Sequence, residues 1–392
     1  RDDVLWEAWK RVKANKGTGG IDGIAIEDIE ANGADCYLTE IQSELKSGTY
    51  RPLPVRRVMI PKPDGSQRPL GIPSVKDRIV QMATKIAIEP VFEADFKDCS
   101  YGFRPKRSAK QALEVVRKAC NNKGYYVVDA DIEKFFDNVN QSKLMTLIEL
   151  RISDRRILKL IRQWLKSGVF YGNILEISEL GTSQGSVISP LLANIYLNTL
   201  DRLWEKYGLT HGKLVRYADD TVIICKNKKS ANHALTLLQY IMGKLDLKLH
   251  PAKTKIVCMW GGTEGFDFLG MHHRRMSTET RRGNMIQETY QYPSRKAMKK
   301  MKSVIKSNVN SRSLLVASEE DLIKNLNPKI TGWKNYYMTK TSNRWMVALD
   351  WYIICTFTRW YNKKHQRRMH MSKVGFVRSM LYEKGLKRMA AA

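Results

Sequence analysis

Two adjacent carboxylates, Asp219 and Asp220, lie between two apolar runs that are typical of β-strands. This pattern predicts a tight hairpin with both carboxylates at its tip, although two aspartates at a turn alone equally fit a solvated turn. A second apolar run, 126–130, also ends in carboxylates, beginning with Asp131. Carboxylates from two strand ends suit Mg²⁺, which prefers oxygen ligands. A pair of such ions stabilises the attacking and leaving oxygens of a phosphoryl transfer, which is therefore the predicted chemistry.

The charge of the chain predicts a polyanionic partner. It has 67 Lys and Arg against 39 Asp and Glu, a net charge of +28 over 392 residues, which favours nucleic acid as the partner. A hydrophobic content of 43% excludes a disordered basic tail. After Gln291 there are 22 Lys and Arg against 5 Asp and Glu, interspersed with aromatic residues. This last quarter is interpreted as a helical module that grips nucleic acid; the alternative is solvated charge over an aromatic core.

Other classes of protein and site are disfavoured by the sequence. The six cysteines are far apart and form no Cys-x-x-Cys pair, so we expect core thiols in a reducing compartment and no zinc site. No apolar run approaches the roughly 18 residues of a membrane span, and no signal peptide is evident. We therefore expect no membrane partner and a cytoplasmic location.

Two loops carry residues suited to phosphate or nucleic acid. Residues 50–73 predict a hairpin turning at Asp64 and Gly65, so that Lys62 and Arg68 could face one triphosphate; two solvated cations are the alternative. Residues 100–108 interleave aromatic and basic side chains, a mixture that suits stacking and phosphate contact. From this second loop Arg104 and Lys106 are candidate nucleic-acid contacts.

Helical periodicity predicts the remaining elements. Pro90 is expected to end the helix over 74–96, and Pro328 to kink the helix over 319–340. The other helices are predicted within 1–50, interrupted by a glycine-rich loop over 16–23, and over 108–120, 141–170, 191–207, 230–246, 294–311 and 344–371, with a loop and a short strand pair over 247–270.

A series of motifs occurs in one order along the chain. They are Ile60-Pro61-Lys62-Pro63-Asp64-Gly65, Arg68-Pro69-Leu70-Gly71-Ile72-Pro73, Tyr101-Gly102-Phe103-Arg104-Pro105, Asp131-Ile132-Glu133-Lys134-Phe135-Phe136-Asp137, Gln184-Gly185, Ser189-Pro190-Leu191-Leu192-Ala193-Asn194, Tyr217-Ala218-Asp219-Asp220 and Phe268-Leu269-Gly270. With them the chain closely resembles bacterial group II intron reverse transcriptases, also called maturases. The resemblance covers about residues 15–340.

That resemblance implies an α+β fold, a right-hand polymerase followed by helices. Its expected divisions are an N-terminal extension over 1–50, fingers and a palm with an antiparallel sheet over 51–290, an α-helical thumb over 291–340, and a basic, partial maturase domain X over 341–392. No Cys- and His-rich endonuclease domain follows, so we expect that this chain alone does not cut a second target strand.

The resemblance also implies roles for individual residues. Asp131, Asp219 and Asp220 would hold the two metal ions. Ile132 would lie beside the metal ions and the nucleotide. Lys253 is a candidate proton donor to the leaving pyrophosphate. Lys62 and Arg68 would meet the triphosphate, Gln184 would lie near the sugar and base, and Phe136 would exclude a 2′-hydroxyl as a steric gate. Phe268, Leu269 and Gly270 resemble the primer grip. Two positions depart from the family pattern, Ser183 where proline is usual and Ser186 where glycine is common.

The expected activity is RNA-directed DNA synthesis with two Mg²⁺ ions, for which Mn²⁺ could substitute. The expected partners are an RNA template, a DNA or RNA primer, deoxynucleoside triphosphates and group II intron RNA. A homodimer is possible, and in the bacterial cytoplasm we expect an association with nucleoid or ribonucleoprotein. Two alternatives remain: a host-domesticated enzyme of repair, defence or spacer acquisition, and an RNA-binding splicing factor with a silent polymerase. Intact carboxylates and cations argue against the silent form.

Overall fold

The computed structural model describes residues 1–61, 65, 67–171, 174–176, 180–181, 185–279, 283–366 and 373–390. They divide into two compact units. The first consists of Arg1–Ala112, Val128–Cys225 and Lys229–Lys255, and the second of Leu113–Val127, Lys226–Lys228 and Ile256–Ala392.

The first unit contains a sheet of four strands in the order β2-β1-β4-β5. Strands β1 (Val55–Pro61) and β2 (Gln67–Ile72) are antiparallel, which confirms the predicted hairpin, while β4 (Val169–Tyr171) runs parallel to β1 and pairs with β5 (Ile174–Glu176). The expected triphosphate ligand Lys62 lies outside the described residues. Arg68 lies on β2, where it is the register partner of Ile60.

A second sheet, of order β6-β7-β3-β8, carries the candidate carboxylates. It consists of β3 (Tyr126–Ala130), β6 (Lys213–Tyr217), β7 (Asp220–Cys225) and β8 (Lys255–Cys258). In the antiparallel pair β6 and β7, Tyr217 is the register partner of Asp220. The predicted hairpin is therefore confirmed, with Asp219 in the turn and Asp220 as the first residue of β7.

The helices of this part of the chain follow the predicted periodicity except at Pro90, over 141–170, and at a four-residue helix, Phe135–Asn138, that was not predicted. They are α1 (Asp2–Ala14), α2 (Ile26–Ala31), α3 (Ala34–Ser47), α4 (Val75–Glu93), α5 (Ala109–Asn121), α6 (Phe135–Asn138), α7 (Gln141–Glu149), α8 (Arg155–Lys166), α9 (Ser189–Tyr207) and α10 (Lys228–Lys244).

Pro90 does not end α4, which continues to Glu93. Because Pro90 lies in the last turn, its missing N–H removes only one hydrogen bond near the end of the helix. The segment 141–170 was wrongly predicted as one helix. Asp154 begins α8 as its N-cap, since its carboxylate accepts hydrogen bonds from two backbone N–H groups of the first turn, and this separates α8 from α7.

The second unit contains a long antiparallel pair, β10 (Met271–Glu279) and β11 (Met285–Pro293), with β9 (Gly265–Phe268) beside β10. The sequence predicted a short strand pair over 247–270, where β8 and β9 instead belong to different sheets, and it predicted no strands over 271–293. Three of the five buried residues of the long pair, His273, Thr289 and Gln291, are polar, so the apolar alternation that indicates a strand is missing.

Four helices with one apolar core complete the second unit. They are α11 (Arg295–Val309), α12 (Glu319–Tyr337), α13 (Asn343–Lys364) and α14 (Val374–Glu383). The helix predicted over 344–371 ends at Lys364, and α14 was not predicted. Phe357 and Trp360 are fully buried, as expected for core aromatics, whereas Trp351 is 55% exposed.

The α+β class is confirmed, with antiparallel strand pairs followed by a helical C-terminal part. Among the helices described, none has the length and apolar character to cross a membrane.

Candidate active site

The turn between β6 and β7 is braced by the segment that contains Gly102. The backbone of Tyr101 donates a hydrogen bond to the Arg216 carbonyl at 2.9 Å, and Arg216 donates to the Cys99 carbonyl at 2.8 Å. A Cβ at position 102 would lie 2.4 Å from the Ala218 nitrogen, so only glycine permits this approach. Ala218 itself has a φ of 56°, the left-handed conformation that the tight turn requires. Two backbone segments thus fix where the turn lies.

A buried guanidinium holds the turn from the inside. Arg216 forms an ion pair with Asp201, and both side chains are fully buried. Its Nη1 donates to the Ala218 carbonyl at 2.9 Å and to the Asn194 side chain at 3.0 Å, while Asn194 donates to the Gly102 carbonyl at 2.8 Å. Although burial disfavours the charge, the Asp201 carboxylate raises the pKa of Arg216. Sequence reasoning missed this network.

Two signals could have pointed to it. Arg216 is a charged residue inside a strand that is otherwise apolar, where a buried charge needs a partner. Asn194 and Asp201 lie seven residues apart on α9, so they share one face of that helix.

Asp131 lies directly after β3, opposite the segment that carries Lys253. The His250 N–H donates to the Asp131 carbonyl at 2.8 Å, and the Asp131 N–H donates to the Thr254 hydroxyl at 3.4 Å. These bonds place the Lys253 Nζ 2.8 Å from the Asp131 carboxylate. The predicted catalytic lysine and one predicted metal ligand are therefore in contact.

The carboxylates of this site repel one another. Asp220 retains exposed surface, yet protein atoms crowd its carboxylate, and this partial burial is the largest cause that raises its pKa to about 6. Asp219, Asp131 and Asp129 also raise it, and Lys253 lowers it. Asp129, on β3, was not selected from the sequence. Such mutually repelling carboxylates are stabilised by added positive charge.

The site fits divalent cations through the chemistry of its donors. Among the residues that the structure describes, no three or more His, Cys, Asp or Glu side chains are arranged as a ready metal-binding group. Mg²⁺ seldom uses such a cage; it commonly takes one or two protein carboxylates and completes its shell with water and substrate phosphates. Asp131, Asp219 and Asp220 would supply these carboxylates.

Arg68 is the described cation of the predicted triphosphate pair. Burial is the largest cause that raises the pKa of Asp219, and the positive charge of Arg68 lowers it, so this guanidinium acts on the site.

Gln184 lies outside the described residues. Its neighbour Gly185 has a φ of 113°, and a Cβ there would lie 2.2 Å from the Gly71 carbonyl. Glycine thus lets the backbone at position 185 approach β2, the strand of Arg68.

Phe135 and Phe136 differ in burial. Phe135 is buried, Phe136 is only partly buried, and their rings meet edge to face with centroids 5.2 Å apart. Phe135 is therefore a core aromatic, while Phe136 retains surface for a ligand. Ile132 has a buried side chain and forms a β-bridge with Leu249, so its backbone rather than its side chain is available to the site.

The two candidate nucleic-acid contacts of the 100–108 loop are placed differently. Arg104 is buried, pairs with Glu93 and donates to backbone carbonyls, so its placement is that of a structural residue. Lys106 is exposed. The local mixture of aromatic and basic residues did not distinguish them. Phe103, an aromatic residue of the same loop, is half exposed, and its ring centroid lies 6.3 Å from that of Tyr217.

The candidate primer-grip residues form the turn from β9 to β10 in the second unit. Phe268 is buried, and Leu269 and Gly270 both have positive φ. Tyr336 of α12 donates its hydroxyl to the Leu269 carbonyl at 2.8 Å, and a Cβ at Gly270 would lie 2.7 Å from the Tyr337 hydroxyl oxygen. The helical part of this unit therefore holds the turn in place.

Comparison with known proteins identifies the family. The profile of the reverse transcriptases (RNA-dependent DNA polymerases) matches residues 60–273, more than half of the chain. The chain belongs to the reverse transcriptase family. Residues 295–375 of this reverse transcriptase match the maturase-specific domain of group II introns. The family resemblance and the activity of an RNA-directed DNA polymerase are thereby confirmed, and this activity depends on divalent metal ions.

Several individual proteins are similar to this chain. Protein YkfC of Escherichia coli K12 is 37% identical over 319 residues, 72% of this reverse transcriptase and 82% of YkfC. The group II intron-encoded protein LtrA of Lactococcus lactis subsp. cremoris is 38% identical over 205 residues, 52% of this chain but only 33% of LtrA. Among solved structures, telomerase from Candida albicans aligns with 85% of this chain and 62% of its own at 13% identity and a TM-score of 0.42. A TM-score of this size does not bear on function.

Proposed function

We propose that this reverse transcriptase extends a DNA or RNA primer with deoxynucleotides on an RNA template, and that it binds group II intron RNA to assist splicing and mobility. The observation that carries the first part is the cluster of Asp131, Asp219 and Asp220 with Lys253 in contact. Asp131, Asp219 and Asp220 would hold two Mg²⁺ ions, or Mn²⁺ in their place, with the Ile132 carbonyl beside them.

When bound, the two ions stabilise charge on the attacking and leaving oxygens. The chain itself supplies the rest. Arg68, with Lys62, would neutralise the triphosphate, and Gln184 would meet the sugar and base. Lys253, an ammonium already beside Asp131, would give a proton to the departing pyrophosphate. Phe136 would fill the space of a 2′-hydroxyl, and Phe268, Leu269 and Gly270 would contact the primer.

The second part of the proposal concerns the basic C-terminal quarter. The α11 helix exposes a row of lysines and arginines, and the maturase-specific match covers that helix. LtrA is named as a group II intron-encoded protein, which supports intron RNA as a partner. The proposed divisions are 1–50, 51–290, 291–340 and 341–392. The boundary between the last two lies between α12 and α13, although both helices contribute side chains to one apolar core.

The proposed location is the bacterial cytoplasm, with the protein bound to nucleoid or ribonucleoprotein, and a homodimer remains open. A silent polymerase is not favoured, because the candidate carboxylates converge in the first unit. The maturase-specific match favours intron RNA over a domesticated role in repair, defence or spacer acquisition.

Primer extension on an RNA template, with and without Mg²⁺, tests the proposal. Asp219→Asn should reduce extension at least ~100-fold, about 3 kcal/mol of lost transition-state stabilisation, and leave RNA binding nearly unchanged. Asp35→Asn, at an exposed carboxylate of α3, is the control and should extend like the parent. Extension by Asp219→Asn above about one per cent of the parent rate would contradict the metal assignment.

A further inference from the structure

Trp260 presents an exposed ring on the loop after β8. Trp260 is 60% exposed. The ring is held in place, because it meets Tyr125 edge to face with centroids 4.4 Å apart and the backbone of the neighbouring Met259 donates to the Tyr125 carbonyl at 2.8 Å. A fixed, exposed indole offers a flat stacking surface at little entropic cost.

A cation continues this aromatic pair. The Arg275 guanidinium lies over the Tyr125 ring, 4.8 Å from its centroid, and its Nε is buried without a hydrogen-bond partner. Arg274 donates to the Gly262 carbonyl at 2.6 Å, which fixes the loop next to Trp260. Within the described residues neither arginine forms an ion pair with a carboxylate. Two successive residues of β10 therefore carry guanidinium groups outside any described ion pair.

Between the loop and the strands lies a small polar cavity of about 250 Å³. Gly262 has a φ of 66°, and a Cβ there would lie 2.6 Å from the Arg275 carbonyl, so glycine shapes this wall. Its lining residues are Gly261, Gly262, Arg274, Arg275, Met276, Ser277 and Gln287. The lining contains two cations, a hydroxyl and an amide but no carboxylate, which suits a phosphate with its sugar.

We infer that this Trp260 patch, formed by Trp260, Tyr125, Arg274, Arg275 and the cavity, binds an unpaired nucleotide of single-stranded RNA. The base stacks on the exposed indole and the phosphate enters the cavity towards the two arginines. Single-stranded RNA is read in this way, by stacking on aromatic side chains combined with arginine contacts. The inference rests on the proposed RNA-binding function but concerns a site separate from the candidate carboxylates and primer grip.

The chemistry favours RNA over a protein partner. An exposed tryptophan also serves as a hot spot in protein interfaces, where it is surrounded by apolar neighbours. Here the neighbours are two arginines that form no ion pair within the described residues and a polar cavity, and the whole chain carries a net charge of +28. Both features attract a polyanion.

Binding of a ten-nucleotide oligoadenylate to the full chain, measured by fluorescence anisotropy, tests the inference. Trp260→Ala should raise Kd at least ~5-fold, the lower end of the loss expected from one stacked base, and Trp260→Phe should restore most of the affinity. Tyr240→Ala is the matched control, because Tyr240 is an aromatic residue exposed to a similar extent on α10. It should leave Kd unchanged.

A second measurement locates the contact. An oligonucleotide with 5-iodouridine should crosslink, under ultraviolet light, to the peptide that contains Trp260. Extension of a preannealed primer should stay within a few-fold of the parent in Trp260→Ala, so that failure of the patch and failure of the polymerase proposal are distinguishable. The inference is overturned if Trp260→Ala binds the oligonucleotide like the parent, if Tyr240→Ala loses as much affinity, or if the crosslink maps elsewhere.

Discussion

Arg216 and Asp201 form a fully buried ion pair in which Nη2 of the arginine lies 2.5 Å from the carboxylate of the aspartate. The same guanidinium donates to the carbonyl of Ala218, the residue before Asp219. A buried charged group needs hydrogen-bond or ion-pair partners for its polar atoms. Here α9 and the turn itself supply these partners. The pair thus connects the helix to the position of the candidate metal-binding carboxylates.

Breaking this pair from one side should destabilise the fold. Asp201→Asn leaves the Arg216 charge buried and unpaired, for which we expect a loss of about 3 kcal/mol or more in the free energy of unfolding. Denaturant unfolding measures it. Replacing both partners, Asp201→Leu with Arg216→Met, should recover most of that loss, because apolar side chains of similar volume can substitute for a buried pair.

The double variant also separates stability from positioning. Although folded, it lacks the donor to the Ala218 carbonyl, so primer extension should remain at least ~10-fold below the parent, about 1.4 kcal/mol. The loss should appear in kcat more than in KM for the nucleotide. A stable double variant with the parent's kcat would show that Arg216 serves the fold alone.

A buried histidine makes the second unit sensitive to acid. Burial, and to a smaller extent the neighbouring His272, lowers the pKa of His273 from 6.5 to about 3, against the opposing effect of Asp267. Between pH 6.5 and pH 3 this histidine is protonated in the unfolded chain but neutral in the folded chain. The free energy of unfolding therefore falls as the pH falls below 6.5. The loss is about 1.4 kcal/mol per pH unit.

From pH 6.5 to pH 5 the folded second unit should therefore lose roughly 2 kcal/mol through His273 alone. His273→Phe removes this titration and keeps a ring against Phe266, whose centroid lies 4.8 Å from that of His273. Urea unfolding of parent and variant at the two pH values gives the difference. An identical acid dependence in both proteins would remove His273 as its source.

The basic face of α11 should set part of the salt dependence of RNA binding. Lys296, Lys299 and Lys300 are exposed on this helix. Each phosphate contact to single-stranded RNA adds ~0.7 to the slope of log Kd against log salt concentration. If all three lysines contact phosphates, replacing them by glutamine should therefore reduce this slope by about 2. The control replaces Lys226, Lys228 and Lys229, which are also exposed and precede or begin α10. Equal slopes in both triple variants would assign the α11 charge to solvated surface.

The features that sequence predicted are local and periodic. The hairpin of Asp219 and Asp220 followed from two apolar strands around polar residues, and Asp131 from the end of a third strand. These signals survive folding because side-chain alternation is a property of the strand itself.

The features that sequence missed depend on tertiary contacts. The sequence around Arg104 does not indicate that its side chain is buried against Glu93. Nor does it indicate that Lys106, two residues later, is exposed. The β10 and β11 pair was not predicted because most of its buried residues are polar. A buried polar residue such as Gln291 is satisfied only by a distant partner, here the Leu113 carbonyl at 2.6 Å.

Phe136 gives the sharpest test, because it separates synthesis of DNA from synthesis of RNA. The two substrates differ by one hydroxyl, and a polymerase rejects it by filling the space that it needs. Phe136 follows Asp131 by five residues and is partly exposed, so it is placed to contact a bound sugar, whereas Phe135 is 2% exposed and packs in the core.

Truncation of Phe136 to Ala or Val should raise the kcat/KM for ribonucleotides relative to deoxyribonucleotides at least ~10-fold, equivalent to about 1.4 kcal/mol of lost discrimination. Phe135→Ala is the matched control: it should lower the free energy of unfolding by about 3 kcal/mol or more through the cavity it creates, with the sugar ratio unchanged in the protein that remains folded. Single-nucleotide incorporation with both sugars on one primer and template gives the ratios. A folded Phe136→Ala enzyme with the parent's ratio would leave the selection of deoxyribonucleotides to other residues.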